Sequence, residues 1–214
     1  MKNQPFTLTK VMLASEFILL FAGLPTALYF DLIPFNRMSV LLAVAVLTLA
    51  YTLITFSKSE RTAFSIHVFR KNSRLIRNSL LRLFVSVPVL ILLTFLISPD
   101  KLLILPKEQL LRWFTTLLVY PILSAVPQEI IYRLFFFHRY RELFPGRNLI
   151  FVSTFAFSFM HIIFENMVAV GLTLAGGYFF SRTYAQSRSF WITSIEHSIY
   201  GSIIFTLGLG QYFI

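Results

Sequence analysis

Residues 79–97 read SLLRLFVSVPVLILLTFLI, with Arg82 as the one charge, and the run stops at Ser98-Pro99-Asp100. A helix rising ~1.5 Å per residue needs about 20 apolar positions to cross the hydrocarbon core of a bilayer. This stretch fits that length, so it is read as a transmembrane helix. The same reading applies to runs from about Val11 to Phe30, Met38 to Phe56, Trp113 to Phe137, Leu149 to Phe164, Met167 to Phe180 or Tyr184, and Phe190 to Leu209. Pro121 and Pro127 should kink the long fourth run. The expectation is an all-α, polytopic integral membrane helical bundle of about seven to eight transmembrane helices, forming a single membrane domain over residues 1–214.

The composition agrees. The chain is 57% apolar, 17% aromatic and 13% charged, with a mean hydropathy of +0.74. A soluble fold of this size leaves too much surface in water to hide that many apolar side chains. A soluble enzyme is excluded, and so is a disordered chain. With no Cys there is neither a disulfide nor a thiolate metal site. The first run is too long for a signal peptide and lacks a small-residue cleavage site, so none is expected. No internal repeat supports an inverted-repeat transporter.

The chain carries 19 Lys and Arg against 9 Asp and Glu, for a net charge of +10. In a membrane protein such an excess orients the spans. With the N-terminus inside, the inner segments hold Lys2, Lys10, Lys58, Arg61, Arg70, Lys71, Arg74, Arg77, Arg139, Arg141, Arg147, Arg182 and Arg188. The outer ones hold Arg37, Lys101, Lys107 and Arg112. The bias predicts N-in, C-out. The stretch Ser57–Asn78 reads either as a plain topogenic loop or, through Phe64, Ile66, Val68 and Phe69, as an amphipathic helix on the inner leaflet. No nucleic-acid motif accompanies the charge.

Ionisable groups inside spans are costly and mark candidate function. They are Glu16, Arg82, Glu129, Arg133, His161, Glu196 and His197. Arg82 sits near a span end and is expected to snorkel. Glu16 is left to pair with a nearby cation or to do nothing. Counted from the ends of their spans, Glu129, His161 and His197 lie ~13, ~18 and ~10 Å deep, so three helices can bring them together. Glu129 and Arg133, at i and i+4, share a helix face and should pair. That pair alone could simply hold helices together, and His161 alone could be an interhelical hydrogen bond. Glu196 and His197 point ~100° apart, so Glu196 needs a partner of its own.

In order along the chain, Gln128-Glu129-Ile130-Ile131-Tyr132-Arg133 resembles an E-E-x-x-x-R motif. Phe157-Ser158-Phe159-Met160-His161 resembles F-x-x-x-H. His197, after Gly176-Gly177 and Ser189-Phe190-Trp191, resembles the start of an H-x-x-x-N/D motif. Together they resemble the CAAX protease and bacteriocin-processing family of intramembrane proteases, type II CAAX prenyl endopeptidase-like. The likeness runs over about Pro121–Gly201, within a catalytic core of about 113–210. It implies a multi-helix membrane fold around a water-filled chamber open to the cytosolic side. Eukaryotic members remove the last three residues of prenylated CAAX proteins; bacterial ones include peptide processors, bacteriocin-immunity proteins and regulators. On that resemblance the chain is an intramembrane endopeptidase acting on a membrane-associated peptide or lipopeptide, in a bacterial inner membrane. Glu129 with His161 would activate water, His197 would stabilise the oxyanion or protonate the leaving amine, and Arg133 would hold Glu129.

Two positions depart from the pattern. The first Glu is Gln128, whose amide cannot act as a base, and the Asn/Asp position is Gly201, with Ser202 beside it. Either Glu129 is the base and Gln128 positions substrate or water, or the protein keeps the fold as a catalytically impaired regulator or immunity protein. No cofactor is expected. The alternative is zinc held by Glu129, His161 and His197, with Glu165, one turn after His161, as a possible fourth ligand at the outer rim. A proton- or cation-coupled transporter using the same cluster lacks the repeat.

Overall fold

The computed structural model describes residues 4–67 and 72–214, with side chains described from residue 10 onward. Lys2, Val68, Phe69, Arg70 and Lys71, which enter the orientation and amphipathic-helix readings, lie outside the described residues. Among those described there is no strand.

Five helices are long and apolar enough to cross a membrane: α1 (Lys10–Tyr29), α2 (Arg37–Thr55), α3 (Ser73–Ile97), α4 (Leu110–Arg139) and α5 (Arg147–Phe164). Two more, α6 (Met167–Ser187) and α7 (Phe190–Leu207), have 21 and 18 residues. They fall outside that set because polar side chains, Thr173, Ser181, Thr193, Glu196 and His197 among them, lower their hydropathy, and these side chains are buried. The whole is inside out relative to a soluble protein. Glu129 and Arg133 are 0% exposed, whereas Phe84 is 78% and Leu111 82% exposed. Apolar side chains facing outward and polar ones inward are what a lipid solvent selects.

The helix ends follow from local chemistry. Asn36 caps α2, its side chain accepting from the Met38 N–H at 2.8 Å, and Asn166 caps α6 through the Ala169 N–H. Arg188, in the left-handed region at φ 51°, stops α6, and Gly208 at φ 97° stops α7. Gly208 also lies against the Lys101 carbonyl, where a side chain would overlap backbone. The prolines of α4 do not break it. The chain widens instead into π-helical turns at Pro121–Ala125 and Ile130–Phe135, which absorb the missing donors and are a frequent mark of functional helices.

The Ser57–Asn78 stretch is not one amphipathic helix. It holds a short 3-10 turn, Glu60–Phe64, and its last six residues are already the start of α3. Phe64 packs on Phe190, and its carbonyl accepts from the Trp191 indole, so this side chain faces protein rather than lipid. Arg82 does not snorkel. It bonds to Glu196 at 2.9 Å, giving that carboxylate its own partner. Glu16 is held by Arg139 and the Tyr140 hydroxyl.

Candidate functional site

Three helices meet at Arg133. Its Nε lies 3.4 Å from Glu129 Oε2. Its terminal nitrogens donate to the Tyr132 carbonyl and Ser153 on the α4–α5 side, and to the Gly177 carbonyl on α6. The guanidinium lies 5.0 Å from the Phe157 ring centre. Gly177 is what lets α6 come this close: a Cβ there would sit 2.9 Å from the Phe157 ring. A counter-ion is required, because an unpaired cation at this depth is prohibitively costly.

The other oxygen of Glu129 reaches α7. Glu129 Oε1 accepts from His197 Nδ1 at 2.8 Å. The His197 ring is stacked on Phe180, 4.4 Å centre to centre and 20° off parallel. Its tautomer and plane are therefore fixed from two sides, and Nε2 is the nitrogen left over. His161 is fixed in the same way: its Nδ1 donates to the Phe157 carbonyl at 2.7 Å, because a carbonyl oxygen can only accept. In neutral His161 the other nitrogen, Nε2, is then an acceptor.

Both histidines line one cavity of about 900 Å³, together with Gln128, Tyr120, Phe180 and Gly201. A second cavity of about 350 Å³ shares Ser124, Gln128, His161 and Phe213 with the first. Glu129 lines neither. It is one position, ~100° of helix, away from Gln128, and its contacts are to His197 and Arg133. Gln128 lies between the two cavities, its amide donating to Ser124 at 2.9 Å. Among the described residues no Asp or Glu lines either cavity.

Ser202 lies apart. It lines a separate cleft of about 650 Å³ with Pro121 and Ser198. Glu165 is exposed at the end of α5. Among the described residues no group of three or more His, Asp or Glu side chains is placed to hold a metal ion.

Sequence reasoning missed Tyr120. A Cβ built on Gly201 would overlap the Tyr120 ring and hydroxyl. The phenol therefore fills the space a side chain at 201 would need. Its ring centre is 6.2 Å from that of His197, and it lines the larger cavity. The signal was present as a pairing of departures: a glycine where the motif has an amide or acid, and a tyrosine two turns before Gln128.

Residues 110–203 match the family model for type II CAAX prenyl endopeptidase Rce1-like proteins. The match spans α4 to most of α7 and supports membership of the CAAX protease family, a family of membrane proteases. With its apolar helices, the chain is an integral membrane protein. No curated protein and no solved structure gives a significant match.

Proposed function

We propose that the chain is an intramembrane peptidase of the CAAX-protease type whose chemistry is carried by its two histidines. The observation that supports this most directly is that His161 and His197 line one cavity, each with Nδ1 already bonded. Water entering the chamber gives its proton to His161 Nε2 as its oxygen bonds to the scissile carbonyl carbon. The resulting oxyanion accepts from protonated His197 Nε2 and from the Tyr120 hydroxyl. When the C–N bond breaks, the proton on His161 passes to the leaving amine. Glu129 touches no substrate in this scheme. It positions His197, much as a buried carboxylate orients the base of a hydrolytic triad, and Arg133 neutralises it. Gln128, with an amide between the two cavities, binds the peptide backbone.

The surrounding assignments follow the same reading: seven membrane spans counting α6 and α7, a single domain, an N-terminus inside a bacterial inner membrane, and a membrane-associated peptide or lipopeptide as substrate without a cofactor. The bias of Lys and Arg between alternate connections supports that orientation.

A second reading is favoured by one observation: the cavity wall carries an amide at position 128 and, among the described residues, no Asp or Glu side chain. On it, the protein is a non-catalytic family member that holds a peptide or partner as a regulator or immunity protein. Membranes containing wild type, His161→Ala, His197→Ala or Gln128→Glu would be compared for cleavage of an apolar peptide library. The peptidase reading expects cleavage by wild type that both alanine variants abolish. Cleavage only after Gln128→Glu, or none in wild type, would establish the second reading.

A further inference from the structure

Away from the chamber, a cleft of about 290 Å³ opens between the first turns of α3 and the last turns of α6. Its polar walls are Asn78 and Arg82 on α3, and Arg182, Thr183 and Gln186 on α6. Asn78 and Arg82 are one turn apart, and so are Arg182 and Gln186. On both helices the amide is nearer the end of the bundle and the guanidinium is one turn, ~6 Å, deeper. The cleft thus has an amide rim and a doubly cationic floor.

Arg82 is only partly consumed. One terminal nitrogen serves Ser79, Thr183 and Glu196, while Nε is buried without a partner. Arg182, Asn78 and Gln186 make no hydrogen bond or ion pair among the described residues. Among the described residues the one anion facing this group is Glu196, whose carboxylate reaches Arg82 from α7 behind the cleft. One negative charge against two positive leaves the cleft with a net charge of +1.

We propose that this cleft binds the phosphate of an anionic phospholipid. Its non-bridging oxygens would accept from Arg182 and from the unused Arg82 nitrogens, with the rim amides completing the shell; guanidinium–phosphate pairs of this kind are among the strongest hydrogen bonds proteins make. A lipid fits better than a free ion for a reason of location. The cleft faces outward, and Leu81 in its wall is followed along α3 by Phe84 and Val85, which are 58%, 78% and 66% exposed. That apolar strip is where acyl chains hanging from a bound headgroup would lie. A basic site at headgroup depth is also where the surface potential of an anionic leaflet acts most strongly.

The test is a thermal-unfolding titration of the purified full chain in a maltoside detergent, with short-chain phosphatidylglycerol, the matching phosphatidylcholine, or inorganic phosphate. Wild type should show a saturable rise in midpoint with phosphatidylglycerol, with the half-point moved at least about tenfold by Arg182→Gln and less by Gln186→Ala. Both side chains lack protein partners among the described residues, so neither variant should lose its fold. An equal rise with phosphatidylcholine, an unchanged half-point in both variants, or no rise with phosphatidylglycerol would overturn the proposal. An equal rise with inorganic phosphate would assign the cleft to the free ion and overturn the lipid. The readout involves no peptide and no cleavage, so it stands or falls separately from the peptidase reading.

Discussion

The molecule buries two Arg–Glu pairs, and they are built differently. Arg133 and Glu129 are both 0% exposed and belong to a network that ties α4 to α5, α6 and α7. Arg82 and Glu196 have side chains 23% and 6% exposed, join α3 to α7, and border a cleft at Arg82; in both pairs the arginine Nε and one carboxylate oxygen are buried without a hydrogen bond. The first pair is enclosed: neither side chain borders a cavity, and Glu129 holds His197 in place. The second is open on one side, toward a cleft. Burial alone therefore does not say what an intramembrane ion pair is for. Whether the arginine borders a cleft does.

The comparison can be broken most severely at Arg133. Arg133→Met should cost about 3–5 kcal/mol, because Glu129 loses its arginine counter-ion in the bundle centre; thermal unfolding in detergent reads it. A fall of under 1 kcal/mol would mean that the enclosed pair is not what holds the four helices. Next is Tyr120→Phe, which keeps the ring packed on Gly201 and removes only the donor. Cleavage should slow by about 10–100-fold in kcat, or ~1.4–2.7 kcal/mol in barrier, with KM little changed. An unaltered kcat would remove Tyr120 from the oxyanion site. At the open pair, Glu196→Gln keeps a hydrogen-bond acceptor for Arg82 and should cost about 1–2 kcal/mol of stability.

The smallest effect belongs to an ion pair outside the membrane. Glu60 is partly desolvated, which alone would raise its pKa. Bonds from the Ser57 amide and hydroxyl, from His138 and from Arg141 outweigh this and bring it down to about 2. A depressed carboxylate stabilises the fold above its unfolded pKa, near 4.3, and loses that stabilisation as pH falls toward 2. Because the group is near the surface, Glu60→Gln should cost less than about 1 kcal/mol at pH 7 and nothing measurable near pH 2. A difference that grows on acidification would contradict this sign.

Span existence was legible because a bilayer imposes a length and a polarity that few other environments do. The depth estimates for Glu129, His161 and His197 also indicated that the three could meet. What depth cannot give is azimuth. Gln128 and Glu129 are adjacent, and only their ~100° separation decides which one lines the chamber. That angle is set by two π-helical turns in α4, which add to the helical phase in a way no 3.6-residue period anticipates. Arg82 was hidden for a related reason. Snorkelling is the default for an arginine near a span end, and Glu196, 114 positions away, cannot be seen as its partner from local spacing. Tyr120 was legible only through Gly201, because its role depends on the absence of a side chain at that position on another helix.

The pairing of Glu129 with Arg133 also bears on how the chain is made. His197 is 68 positions downstream of Glu129. At a synthesis rate of about 5–20 residues per second, roughly 3–14 s pass between the two leaving the ribosome. During that interval α4 must enter the bilayer with its central carboxylate and without its imidazole. A cation one turn away on the same helix makes the segment electrically neutral by itself, so it can be inserted before any later helix exists. When α7 arrives, it finds one carboxylate oxygen still vacant, and the order of assembly is written into the spacing of two charges.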